Sequence, residues 1–125
     1  MSYEIKWEKK GVLVRFSGFF DYATKIKASN EIYKAQHSNK LSYIILDTTD
    51  ISETFFTTME LSGIATHDQI ASLRLPRIRM AMFAQDQELH HLCEQYCAQH
   101  QCRLTGWHYL VSDSMENIRE WTFSH

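Results

Sequence analysis

Proline occurs once, glycine four times and cysteine three times in the 125 residues. Four scattered glycines are too few for a Gly-rich phosphate cradle, and neither a Gly-x-Ser-x-Gly elbow nor a His-Glu-x-x-His pair is present. The cysteines form no Cys-x-x-Cys, which removes the usual thiol redox motif and the knuckle of structural zinc sites. The longest apolar runs, such as Tyr43 to Leu46, hold four or five residues, far short of the ~20 that span a bilayer. Met1 to Lys10 carries Glu4, Lys6, Glu8, Lys9 and Lys10 and no apolar stretch of the secretory kind. A net charge of −2 leaves no surplus of Lys and Arg to neutralise a phosphate backbone. Arg74, Arg77 and Arg79 around Pro76 read as solvated surface. These absences exclude nucleic acid and a membrane span as partners, and they predict a cytoplasmic chain with reduced thiols.

What remains is the composition of a folded domain, 44% hydrophobic and 22% charged. A chain of this length buries roughly two-thirds of its unfolded surface and needs neither disulfide nor metal to fold. Residues 1–125 are therefore expected to form one domain.

The hydrophobic pattern changes period along the chain. Tyr3, Ile5 and Trp7 alternate with charged residues, and Val12, Val14 and Phe16 alternate again after a Lys9-Lys10-Gly11 turn, which predicts a β-hairpin ending at Gly18. Asp21 is placed to cap a helix carrying Tyr22, Ala23, Ile26, Ile32 and Tyr33 on one side, with Lys25 elsewhere, ending at His37, Ser38 and Asn39. Tyr43-Ile44-Ile45-Leu46 is a continuous apolar run, the pattern of a central strand covered on both faces. Thr57-Thr58-Met59-Glu60 has the spacing of a capping box, opening a helix bounded by Pro76. A strand through Ile78, Met80, Met82 and Phe83, a helix from Asp86 to Gln101, a strand from Arg103 to Val111 and a helix through Ile118 and Trp121 complete the chain. The order ββαβαβαβα implies an α/β domain: a mostly parallel central sheet, an antiparallel opening strand and helices packed on it.

Four stretches carry a family likeness: Gly11-Val12-Leu13-Val14-Arg15-Phe16-Ser17-Gly18 leading into a helix, Ile44-Ile45-Leu46-Asp47, Arg79-Met80-Ala81-Met82-Phe83-Ala84, and Ser114-Met115-Glu116-Asn117-Ile118-Arg119-Glu120-Trp121. Together they resemble the STAS-like, or SpoIIAA-like, superfamily over nearly the whole chain. The resemblance implies a non-enzymatic regulatory module. The best-known members are bacterial anti-sigma-factor antagonists, which bind a partner kinase and are switched by phosphorylation of a Ser in an Asp-Ser motif after the central strand. Here that stretch is Ser52-Glu53-Thr54-Phe55-Phe56-Thr57-Thr58 and lacks the motif. Thr57 and Thr58 stand about where the phosphoacceptor would, and Thr57 has the competing role of helix cap.

The remaining candidates are chemical and aromatic. His90, His91, Cys93, Cys97, His100 and Cys102 crowd the third helix, but ten helical residues span roughly 15 Å, too far for one ion. His67-Asp68 reads as a solvated pair, since adjacent helical residues diverge by about 100°. No cofactor, metal or catalytic constellation is expected, and the case is against an enzyme. Phe19-Phe20 and Phe55-Phe56 fall near the sheet end from which the helices leave, where α/β domains bind their ligands. With Thr57, Thr58, Met59 and Gly63 they form the candidate surface. On the second helix Met59, Gly63, Ile70 and Leu73 share one side while Leu61, Ile64, Ala65 and Ala71 lie on others, more apolar surface than one core face needs. The surface is expected to serve a protein partner or a homodimer; the alternatives are a small apolar, lipid-like ligand, as in the similar CRAL-TRIO domains, or a metal on the Cys and His residues.

Overall fold

The hydrophobic alternation at the start of the chain builds an antiparallel pair, β1 (Tyr3–Trp7) and β2 (Gly11–Phe20), in register from Tyr3 opposite Phe16 to Trp7 opposite Val12. The computed structural model describes residues 2–35, 40–101 and 103–123. The order ββαβαβαβα holds throughout them, with α1 (Tyr22–Tyr33), β3 (Tyr43–Thr54), α2 (Thr58–Ser72), β4 (Arg79–Phe83), α3 (Gln87–Gln101), β5 (His108–Ser112) and α4 (Met115–Phe123). The five strands lie in the order β1-β2-β3-β4-β5, and all pairs after the first are parallel. Each parallel step moves one strand in the same direction, so right-handed crossovers put α1, α2 and α3 on one face.

Strand periodicity sorts the core into two halves. Val12, Val14, Phe16, Ile44, Met80 and Met82 point to the three-helix face, where they meet Ile32, Leu61, Ile64, Leu89 and Tyr96. Leu13, Tyr43, Ile45 and Ala81 point the other way onto α4 through Ile118, Met115 and Trp121. β3 is buried on both faces over Tyr43 to Thr48, as its continuous apolar run requires. Arg119 clamps α4 to the β1–β2 turn by a bidentate bond to Glu8, 2.6 and 2.9 Å, and Tyr43 donates its hydroxyl to the same carboxylate. The Arg119 guanidinium holds Glu8 below the usual carboxylate range against the opposing effect of its partial burial.

The boundaries depart from the sequence reading in three places. β2 does not stop at Gly18; it passes through it with φ +70, a conformation glycine adopts without penalty, and ends at Phe20. β3 runs on past Leu46 to Thr54, since Thr48, Thr49, Ile51 and Thr54 are β-formers, and it pairs with β2 through two register shifts. The last strand begins at His108 rather than Arg103. The preceding stretch is held out of the sheet, Arg103 by bonds to Ser62 and Thr66 of α2 and Trp107 by its indole N–H on the Leu75 carbonyl. His37, Ser38 and Asn39, expected to end α1, lie outside the described residues. Among the described residues no helix is long and apolar enough to cross a membrane.

The caps follow the sequence closely. Asp21 accepts from the Thr24 N–H at 3.0 Å, Asp86 from Leu89 at 3.1 Å and Ser114 from Asn117 at 3.2 Å. At α2 the box is complete: the Glu60 N–H donates to Thr57 Oγ1 at 3.0 Å and the Thr57 N–H to Glu60 Oε1 at 2.9 Å. Thr57→Ala removes one half of this exchange and is expected to cost about 1 kcal/mol, lowering Tm by about 4 °C. A thermal melt with unchanged Tm would show that the cap does not carry α2.

Candidate functional site

β4 stops pairing with β3 at Phe83 opposite Asp47, whereas β2 and β3 stay paired as far as Phe20 opposite Thr54. The two longer strands therefore project as an arm beyond the C-terminal edge of the parallel sheet. The Thr54 hydroxyl donates to the Phe20 carbonyl at 2.8 Å and ties off its tip. The arm sorts each Phe pair into one inward and one outward ring. Phe20 packs between Phe16 and Phe56, with centroid distances of 4.4 and 5.2 Å, while Phe19 and Phe55 are 51% and 66% exposed. Met59, in the first turn of α2, is 84% exposed. Thr57 is the cap and Thr58 is exposed. Gly63 faces α1, where an added Cβ would stand 3.2 Å from the Tyr22 hydroxyl, so its missing side chain lets α1 and α2 close together.

Beside the arm runs a groove of about 310 Å³ lined by Thr48, Ile51, Glu53, Asp86, Glu88 and Leu89. Its charged groups are all acidic. Beneath the arm, between the sheet and the three helices, lies an apolar cavity of about 30 Å³ among Phe16, Phe20, Lys25, Phe56, Met82 and Tyr96. A space of that size holds a water or two.

Lys25 reaches this cavity from a polar network that sequence reasoning missed. Lys25 is 3% and Asp68 1% exposed, against the expectation of a lysine off the apolar side of α1 and of a solvated His67-Asp68 pair. Tyr33 of α1 donates to Asp68 Oδ1 at 2.6 Å, and Tyr96 of α3 donates to Oδ2. His100 Nε2 stands 3.2 Å from Oδ2, and the Tyr109 hydroxyl of β5 lies 2.7 Å from His100 Nδ1. Lys25 donates to Ser29 Oγ at 2.7 Å and sits over the Tyr96 ring. Burial alone would raise the Asp68 carboxyl, but the charges of Lys25 and His100 and the Tyr33 bond outweigh it and hold the group down at about 2. Burial pulls Lys25 below its ordinary value and pushes Tyr33 and Tyr96 well above theirs. The signal was present in the sequence: Asp68 follows Leu61 and Ile64 and precedes Ala71 at the spacing of a helix's inner face.

The His and Cys residues of α3 are dispersed by the same packing. His100 belongs to the Asp68 network, His90 pairs with Glu94 at 3.5 Å, and His91 is exposed. Cys93 is buried and Cys97 half-buried, and burial pushes both thiols up to about 12, which keeps them protonated. Cys102 lies outside the described residues. Among the described residues no three His, Cys, Asp or Glu side chains stand close enough to hold a metal ion.

The network makes stability depend on pH. A carboxyl held at about 2 in the fold and near its ordinary 3.8 when unfolded contributes about 2 kcal/mol above pH ~4, and this is lost as the pH falls toward 2. His67, which burial holds below its ordinary 6.5, opposes the fold once it is protonated. Asp68→Asn leaves Lys25 without its counter-charge and is expected to cost about 3 kcal/mol and to flatten the acid limb of a urea-denaturation series. Lys25→Met in turn leaves the buried Asp68 carboxylate without its counter-charge and is expected to cost a comparable ~3 kcal/mol, while the double variant should cost less than the sum of the two. Additive losses in the double variant would contradict the pairing.

No protein-family model matches the chain, and no curated protein matches it in sequence. Solved structures do match in shape. The anti-sigma factor antagonist SpoIIAA in its unphosphorylated form aligns with a TM-score of 0.62 at 10% identity, covering 98% of this chain and 99% of that one. The phosphorylated form of the Bacillus cell fate determinant SpoIIAA gives 0.58 at 10% identity over 95% and 98%. An uncharacterized DUF3478-family protein with a SpoIIAA-like fold from Shewanella loihica PV-4 gives 0.55 at 11% identity over 96% and 91%. Sequence identity this low speaks to architecture alone, and the architecture agrees over the whole sheet and all four helices: this chain has the SpoIIAA-like, STAS-type fold.

Proposed function

We propose that the protein is a regulatory interaction module that binds a protein partner through the arm of the sheet. The observation that carries this reading is the outward pair Phe19 and Phe55, exposed at the C-terminal edge, while their neighbours Phe20 and Phe56 hold the arm to the core and Met59 stands exposed in the first turn of the helix that follows. Large rings kept in water on a rigid support are the anchors that protein interfaces use. The groove beside them carries Glu53, Asp86 and Glu88, so the matching face on the partner is apolar with a basic rim. The likeness to SpoIIAA, an anti-sigma factor antagonist, supports a regulatory role. A phosphate switch at Thr57 fits less well, because the Glu60 carboxylate already occupies the Thr57 N–H and would repel a dianion there.

The apolar cavity gives some support to the alternative of a lipid-like ligand, but at about 30 Å³ it lacks the volume for one; drug-sized ligands occupy ~300 Å³ or more.

The test is to place a photo-crosslinking phenylalanine analogue at Phe55 and irradiate the source cells. One defined protein adduct is expected, and the added substitution Phe19→Asp should reduce it at least about tenfold, a loss of ~1.4 kcal/mol or more. An adduct indifferent to Phe19→Asp, or none from this position, removes the reading.

A further inference from the structure

Charge is sorted along the strand axis, although the net charge is only −2. The loops that feed the N-terminal ends of β2 to β5, residues 8–10, 34–42, 73–78 and 102–107, hold seven Lys and Arg and one acidic residue, Glu8. Arg119 already neutralises Glu8. The segments at the other end of the sheet, residue 21 with 48–57, 84–86 and 113–114, hold Asp21, Asp50, Glu53, Asp86 and Asp113 and no Lys or Arg. The chain is therefore a dipole, acidic at the end that bears the arm and basic at the opposite end.

Each end also carries an apolar feature. At the acidic end Glu53 stands beside Phe19 in the strand register and Phe55 follows two residues on, both rings exposed. At the basic end a groove of about 230 Å³ opens between the β1–β2 turn and the approach to β3. The half-buried Trp7 and the buried Leu41 line it, and Lys9, Lys10 and Lys40 stand exposed around them. A phenyl ring fits such a space, since benzene enters an apolar cavity of ~150 Å³. The side chains of Glu53 and Glu88 at one end, and of the three lysines at the other, are exposed and have no hydrogen-bond or ion-pair partner among the described residues. All five are free to meet an outside charge. An apolar surface with an acidic rim and one with a basic rim thus lie at opposite ends of the same two strands, β2 and β3.

Taking the arm as a partner surface, the reading on which this rests, we infer that its partner is a second copy of this chain. Phe55 of one copy enters the Trp7 and Leu41 groove of the next, and Glu53 and Glu88 meet the lysines around it. An aromatic anchor in a pocket, ringed by opposite charges, is the composition of an interface hot spot. The contact joins two different patches, so it is heterologous and repeats from copy to copy. Both patches lie on β2 and β3, so successive copies stack head to tail along the strands, with a repeat on the order of the ~33 Å length of a ten-residue strand. Two arms set against each other would oppose acidic rims instead. The charge pairs are exposed and screened beyond ~10 Å at 0.1 M salt, so assembly weakens as salt rises.

Sedimentation velocity on the purified full chain at low salt, from low micromolar to near-millimolar concentration, is expected to show growth through dimer to longer species. Glu53→Lys with Glu88→Lys, and separately Lys9→Glu with Lys40→Glu, should each weaken association at least about tenfold, ~1.4 kcal/mol, with unchanged circular-dichroism spectra. Mixing the two variants at equal concentration should restore association, because each again offers the other an opposite charge. A parent chain that stays monomeric, one that stops at a closed dimer, or variants that do not rescue one another each overturns the inference. With the photo-crosslinker at Phe55, a self-adduct should map to the peptide carrying Trp7 to Gly11 or to Lys40 and Leu41. Capture of a different protein in cells, while the purified chain stays monomeric, would leave the arm as a partner surface and overturn the second copy as its partner.

Discussion

The carboxylate of Asp68 lies where α1, α2 and α3 converge over the sheet, and those helices hold their places by bonding to it. Tyr33 reaches it from α1 and Tyr96 from α3, and His100 carries the chain of contacts on to Tyr109 of β5. A buried ion is costly unless it is fully partnered, so this arrangement tolerates little displacement of any helix. Lys25, whose charge balances Asp68, also forms the polar end of the apolar cavity beneath the arm. The register of the helical layer and the closure of the sheet's C-terminal edge are thus linked through one charged pair.

That edge inherits its shape from strand lengths. β4 and β5 are five residues long and β2 and β3 ten and twelve, so only the central pair reaches past the helices. The register shifts in β3 and the positive φ at Gly18 bend the projecting pair. The inward rings of Phe20 and Phe56 fasten it to the core, and the outward rings of Phe19 and Phe55 are left in water. α4, alone on the far face and clamped by Arg119 to Glu8, leaves both the arm and α2 uncovered.

Most of the architecture was legible in the sequence because it rests on local rules. Period-two alternation marked β1 and β2, the Tyr43 to Leu46 run marked the central strand, and Thr57 with Glu60 marked the start of α2. What was not legible depends on partners distant in the chain. Asp68 stands at the inner-face spacing of α2, but nothing local pairs it with Lys25, which the fold brings within Coulombic range across 43 positions of sequence. Arg103 to Trp107 has strand-like composition, yet side-chain bonds to Ser62, Thr66 and Leu75 hold it out of the sheet. The aromatic pairs were placed at the correct end of the sheet, but which ring of each pair turns inward is set by the bulges of β3, which no local pattern announces.

On the proposed function the protein is a frame that displays surfaces to other proteins, in contrast to a vessel for a small molecule or a metal. Native mass spectrometry of the protein taken gently from its source cells separates these most directly. The account predicts protein–protein species, with the chain itself at its unmodified mass. A monomer carrying a fixed small increment, whether of a lipid, a metal or a phosphate, would contradict it.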